Sequence, residues 1–106
     1  MNPRQFSKYL NRDRGCYHCG QIQDLIPHHR SNRGMGGARS ANDPSNIISM
    51  CALINGLMES DPETANLARE FGWKVSRYQD TKVVPVYEAS TGFWFRLDNN
   101  FGRTSV

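Results

Sequence analysis

Two adjacent histidines, His28 and His29, are followed by asparagines at positions 46 and 55. Hydrolysis of a phosphodiester needs a base to take a proton from water and a cation to neutralise charge on the phosphate and the leaving oxygen. Neighbouring side chains on a regular strand point to opposite faces. Both histidines can therefore serve one site only at a twisted strand end, one binding metal while the other faces the phosphate. Asn46 opens the returning strand, where its side-chain carbonyl could hold the imidazole of His29. Asn55 lies on the helix that follows, placed to supply a second oxygen or amide ligand. The expected unit is strand, loop, strand and helix closing on one ion.

A second group of residues suits metal chemistry of another kind. Cys16 and Cys19 form a C-x-x-C pair and Cys51 is the third cysteine. Without an apolar signal core in MNPRQFSKYLNRDRG, export is not expected, and a reducing cytoplasm is the expected compartment. There C-x-x-C reads as metal-binding or redox before it reads as a structural disulfide. A thioredoxin-like pair would need a βαβ pattern, which is missing. The Gly34-Met35-Gly36-Gly37 run lacks the Lys-Ser/Thr ending of a phosphate-binding P-loop.

The elements that must position these residues follow from punctuation and periodicity. Pro3 to Leu10 reads as a helix, with Asn2 as N-cap, Pro3 at the first helical position, and Phe6, Tyr9 and Leu10 on one face. CYHCG reads as a tight knuckle. Leu25 to Arg30 is a short strand that Pro27 confines to an edge or bulge. SNRGMGGARSANDPS is a polar, glycine-rich loop. Asn46 to Met50 is the second strand. Ala52 to Glu59 is helical, and Asp61-Pro62-Glu63 starts another helix that runs to Phe71 and ends at Gly72. KVSRY, VVPVYEA and FWFRLD read as strands, with Ser90-Thr91-Gly92 turning a hairpin between the last two. Trp73, Phe93, Trp94 and Phe95 are assigned to the core rather than to base stacking. The expected class is α+β.

The chain has 106 residues, 38% of them apolar, and a mean hydropathy of −0.65. That suits one domain with a small core, which a metal staple would help. No apolar run is long enough for a membrane span. Net charge is +3, unevenly spread: residues 1–39 hold seven basic and two acidic side chains, the remainder six and eight. Such asymmetry suits one half that faces a polyanion.

The stretch HHRSNRGMGGARSANDPSNIISMC…NGLMES resembles the HNH nuclease family, and in particular small phage-encoded members. The resemblance covers about residues 16–60. The tail GWKVSRYQDTKVVPVYEASTGFWFRLDNN is similar, less specifically, to the segment that follows the motif in phage members. It implies a single HNH domain over 1–106, with the C-terminal helix and strands at about 61–98. The fold would be a ββα-metal core with an N-terminal helix, a zinc-knuckle-like segment, a second helix and a small C-terminal β-hairpin. By this resemblance His28 is a metal ligand, His29 the general base, Asn46 the residue that orients it, and Asn55 the second metal ligand. The activity implied is metal-dependent cleavage of DNA, by nicking or double-strand scission. The partners implied are DNA, held largely by its backbone, and phage packaging proteins, in a host cytoplasm.

This sequence departs from the family at two positions. The usual third histidine is Asn55, so the motif reads H-N-N; an amide oxygen is harder than imidazole and favours Mg²⁺ or Mn²⁺ over Zn²⁺. Where a fourth knuckle cysteine would fall stands Ile54, which cannot ligate. Structural Zn²⁺ on Cys16, Cys19 and Cys51 then needs His18, another group or water to complete it. Arg30, Arg33 and Arg39 flank the site, and their guanidinium forks suit phosphate oxygens. Two other readings share these residues: a catalytically weak HNH-like module that binds DNA or a packaging protein, and a plain zinc-knuckle interaction domain.

Overall fold

The computed structural model describes residues 1–32 and 39–106, with residues 39 and 40 described by their backbone alone. It is an α+β fold with three helices and two small antiparallel sheets. Helix α1 (Pro3–Asp13) starts at the expected capping box, in which Asn2 and Gln5 exchange side-chain and backbone hydrogen bonds. It runs three residues past the expected end, because Arg12 and Asp13 anchor it. Both are buried and paired at 2.6 Å. Arg12 also donates to the carbonyls of Pro44 and Ile47, while Asp13 accepts from the Ser49 amide and the Tyr17 hydroxyl.

Strands β1 (Leu25–His29) and β2 (Ile47–Cys51) form the first sheet, with His28 opposite Ile48 and His29 opposite Ile47. Pro27 is tolerated because β1 pairs on one side only. Cys51 ends β2 and is also the N-cap of α2 (Ala52–Ser60), so strand passes into helix without a loop. Helix α3 (Pro62–Glu70) begins at the Asp61 cap, whose carboxylate accepts from the Thr64 amide. It gives way to Gly72 at φ +75°, a left-handed turn that favours glycine. All five residues of β2 are buried. Ile48, Met50 and Cys51 lie with Ile54 and Met58 of α2, Ala68 of α3, and Trp73 in one hydrophobic cluster.

The C-terminal region differs from the expected hairpin. Strands β3 (Val86–Glu88), β4 (Phe93–Leu97) and β5 (Arg103–Ser105) form a three-stranded sheet in that order. KVSRY is not a strand. The Val75 amide bonds to the Arg30 carbonyl, and the chain then turns, Gln79 N–H donating to Ser76. VVPVYEA contributes only its last part, since Pro85 offers no N–H and residues 80–84 turn beneath Arg30. The expected turn at Ser90-Thr91-Gly92 is present, with Gly92 at φ +78°. Trp73 is fully buried, whereas Phe93 is 57% exposed and does not belong to the core. Among the described residues, no helix is long and apolar enough to cross a membrane.

Candidate functional site

The end of β1, the start of α2 and the chain after α3 converge on His28. Its ring is buried and its Nε2 lies 2.7 Å from the Trp73 carbonyl oxygen. A carbonyl only accepts, so Nε2 carries the proton. Burial pushes the His28 pKa down, and the nearby charges of His29 and Lys74 push the same way. The hydrogen bonds to Trp73 and Asn55 oppose the shift without cancelling it. The neutral ring therefore presents Nδ1 as a lone pair, 2.9 Å from Asn55 Oδ1. An amide oxygen is also an acceptor. Two acceptors this close are reconciled by turning the Asn55 amide or by a cation between them. Adjacent ligand atoms on an octahedral ion with bonds of about 2.1 Å sit about 3.0 Å apart. The spacing fits such an ion, and a histidine whose far nitrogen donates to a backbone carbonyl is the usual form of a metal ligand.

His29 is exposed at the strand end, yet it lines the same cleft as His28 and Asn55. This cleft of about 470 Å³ is also lined by Ser31, Asn32 and Glu59. Strand β1 stops at His29, so strict alternation no longer separates the two imidazoles. His29 Nε2 lies 3.2 Å from Asn42 Oδ1, which sets a tautomer with Nε2 protonated and Nδ1 basic.

Asn46 does not hold the His29 ring. It is completely buried, and its amide is engaged with the backbone: Oδ1 accepts from Ser31 N–H, and Nδ2 donates to the carbonyls of Ser31 and Ala41. It thereby ties together the two ends of the connection from β1 to β2, and acts on His29 only through the chain. The residue that touches the imidazole is Asn42, which nothing in SANDPSN distinguished from its neighbours. Glu59 was likewise undervalued. It lies one turn beyond Asn55 on α2, and among the described residues its carboxylate is the only one lining the cleft.

The expectation for Arg30 is overturned. Only 2% of it is exposed. Its guanidinium donates to four carbonyls, those of Gly72, Ser45, Thr81 and Val84, at 2.7–3.0 Å. A group so enclosed cannot reach a DNA phosphate; it clamps the turn after α3 to the loop before β2. Arg33 and most of the glycine-rich segment (33–38) lie outside the described residues, as does the side chain of Arg39.

The three cysteines do meet. Their sulfurs lie within 4.8 Å of one another, close to the spacing of about 3.8 Å that tetrahedral Zn–S bonds of about 2.3 Å require. Cys16 Sγ accepts from the amides of Cys51 and His18 at 3.2 and 3.4 Å, an arrangement suited to a thiolate. Without a cation, burial pushes the Cys16 thiol up to about 11. Cys51 is the N-cap residue of α2. His18 does not complete the set: its ring packs edge-on against Trp73 at 5.6 Å and it is outside the cluster. Ile54 is buried in the core. Cys19 is the exposed member of the three, while Cys16 and Cys51 are buried. These thiols can bind a metal ion.

Comparison with known proteins returned no matching family model, no matching curated protein and no matching solved structure.

Proposed function

We propose that this chain is an HNH-type, metal-dependent DNA endonuclease with its active site in the cleft of His28, His29 and Asn55. The observation that carries the reading is the 2.9 Å approach of His28 Nδ1 and Asn55 Oδ1 beside an accessible His29. His28 and Asn55 would hold Mg²⁺ or Mn²⁺, with Glu59 as the nearest carboxylate lining the cleft. When bound, the ion would neutralise charge on the scissile phosphate and the departing 3′ oxygen. His29 Nδ1 takes the proton of the attacking water. The water oxygen bonds to phosphorus as the bond to the 3′ oxygen breaks, and that oxygen takes up a proton from solvent water. Asn42 holds the imidazole, and Asn46 holds the backbone that carries it. One such site cuts one strand, so double-strand scission needs two copies or repeated nicking.

Supercoiled-plasmid nicking tests this directly. Mg²⁺ or Mn²⁺ should support cutting, EDTA should abolish it, and His29→Ala should reduce it by about a hundredfold or more. Undiminished cutting in EDTA, or by the His29→Ala protein, overturns the assignment. A second reading is favoured by the neutral Asn55 where the family carries histidine: a catalytically weak module that binds DNA or a phage packaging protein. It predicts no nicking with any of Mg²⁺, Mn²⁺ or Zn²⁺.

A further inference from the structure

A second cleft, of about 430 Å³, adjoins the first and shares His29, Asn32 and Glu59 with it. Its outer wall comes from the end of α3 and the chain beyond, as Arg69, Lys74 and Arg77. Trp73 and Val75 are buried, and the Val75 amide is pinned to the Arg30 carbonyl. This anchors the backbone that carries Lys74 and, two residues beyond Val75, Arg77. Arg69 and Arg77 are exposed, and among the described residues neither has a carboxylate partner. Arg69 donates to the Asn66 side chain, and Arg77 donates to the Tyr78 hydroxyl while lying 4.9 Å from its ring centre. Each thus engages one of its five N–H donors. Among the described residues the only carboxylate lining this cleft is that of Glu59, 3.9 Å from Lys74 Nζ.

Three cations and one exposed carboxylate lining a single cleft suit a chain of anions. An acidic peptide and a nucleic-acid backbone both answer that description. Continuity with the cleft of His28, His29 and Asn55 favours the phosphodiester. We propose that Arg69, Lys74 and Arg77 hold the DNA phosphates on one side of the scissile bond and lead the strand past His29. The proposal rests on the nuclease reading of the adjoining cleft, and binding and cutting are therefore measured apart. The two arginine forks would grip phosphate oxygens in pairs, with Lys74 adding a point charge.

The test is fluorescence anisotropy of a labelled short DNA duplex with the full chain, without added Mg²⁺ or Mn²⁺ so that nothing is cut, from 50 to 200 mM salt. R69Q/R77Q should bind on the order of tenfold more weakly, and its slope of log affinity against log salt should be shallower by about 1.8. Arg77→Gln alone should remove about half of that slope, and melting curves should match the wild type. R4Q/K8Q, on exposed α1 positions, should leave the slope unchanged. Equal slopes for R69Q/R77Q and wild type overturn the proposal, as does an equal loss from R4Q/K8Q. Wild-type protein that binds polyglutamate in preference to DNA also overturns it. Binding through these residues without nicking in Mg²⁺ or Mn²⁺ upholds the groove and removes the nuclease reading. Nicking that R69Q/R77Q performs like the wild type removes the groove alone.

Discussion

Asn42 and Asn46 are four residues apart and do different work. Asn46 is buried, with three hydrogen bonds to backbone; removing its amide strands those groups away from water. Asn46→Ala should cost about 3 kcal/mol of stability, read by chemical denaturation. Asn42 is exposed, and among the described residues its side chain hydrogen-bonds to the His29 ring. Asn42→Ala should leave stability within about 0.5 kcal/mol while slowing nicking by about tenfold. If both variants lose activity only in proportion to stability, Asn42 has no orienting role. Arg30 makes the same point for charge. As one of three arginines around a histidine pair it suggested phosphate binding, but burial turned it into a clamp for four carbonyls. Residue type was legible in each case; the partner was not.

At the scale of elements, the helix starts and stops were the most legible part. Capping at Asn2 and Asp61, and the glycine after α3, are local chemistry that needs only a few neighbouring residues. The C-terminal strands were less so, because strand formation depends on a partner distant in sequence. KVSRY alternates suitably but finds no strand to pair with, and β5 was missed because three residues carry little pattern. Gly72 links these elements to the site. It sits at φ +75°, and an added Cβ would run into the Pro85 carbonyl. Its own carbonyl receives Arg30, and the next residue's carbonyl fixes His28. Gly72→Ala should therefore cost about 3 kcal/mol or more and weaken nicking as well. A Tm within a degree or so of wild type would show that this turn adapts.

For the whole molecule, the central question is how a small core of modest apolarity stays folded. Cys16 and Cys19 precede β1, Cys51 stands at the junction of β2 and α2, and the three meet beside the core. A Zn²⁺ ion there would join the knuckle to the base of α2, stabilising the fold by coupling binding to folding. Protein purified without chelator should carry about one zinc per chain, and its removal should lower Tm by about 5 °C or more. Cys16→Ser should act in the same direction. Metal-free protein whose Tm ignores chelator would show that the three thiols are merely packed together.

By itself the sequence determined which residues were available for metal and phosphate chemistry, where helices begin and end, and that both histidines stand at the end of a strand. Those properties depend on residue type and on spacing over a few positions. Only the tertiary structure decided which side chains meet: Asn42 rather than Asn46 on His29, carbonyls rather than phosphates on Arg30, and Trp73 rather than a thiol cluster on His18. Such pairings are set by burial and by contacts between residues far apart in the chain. The conjunction of His28 with Asn55 belongs to both levels, since their order predicts it and the Trp73 carbonyl, forty-five residues away, aims the ring.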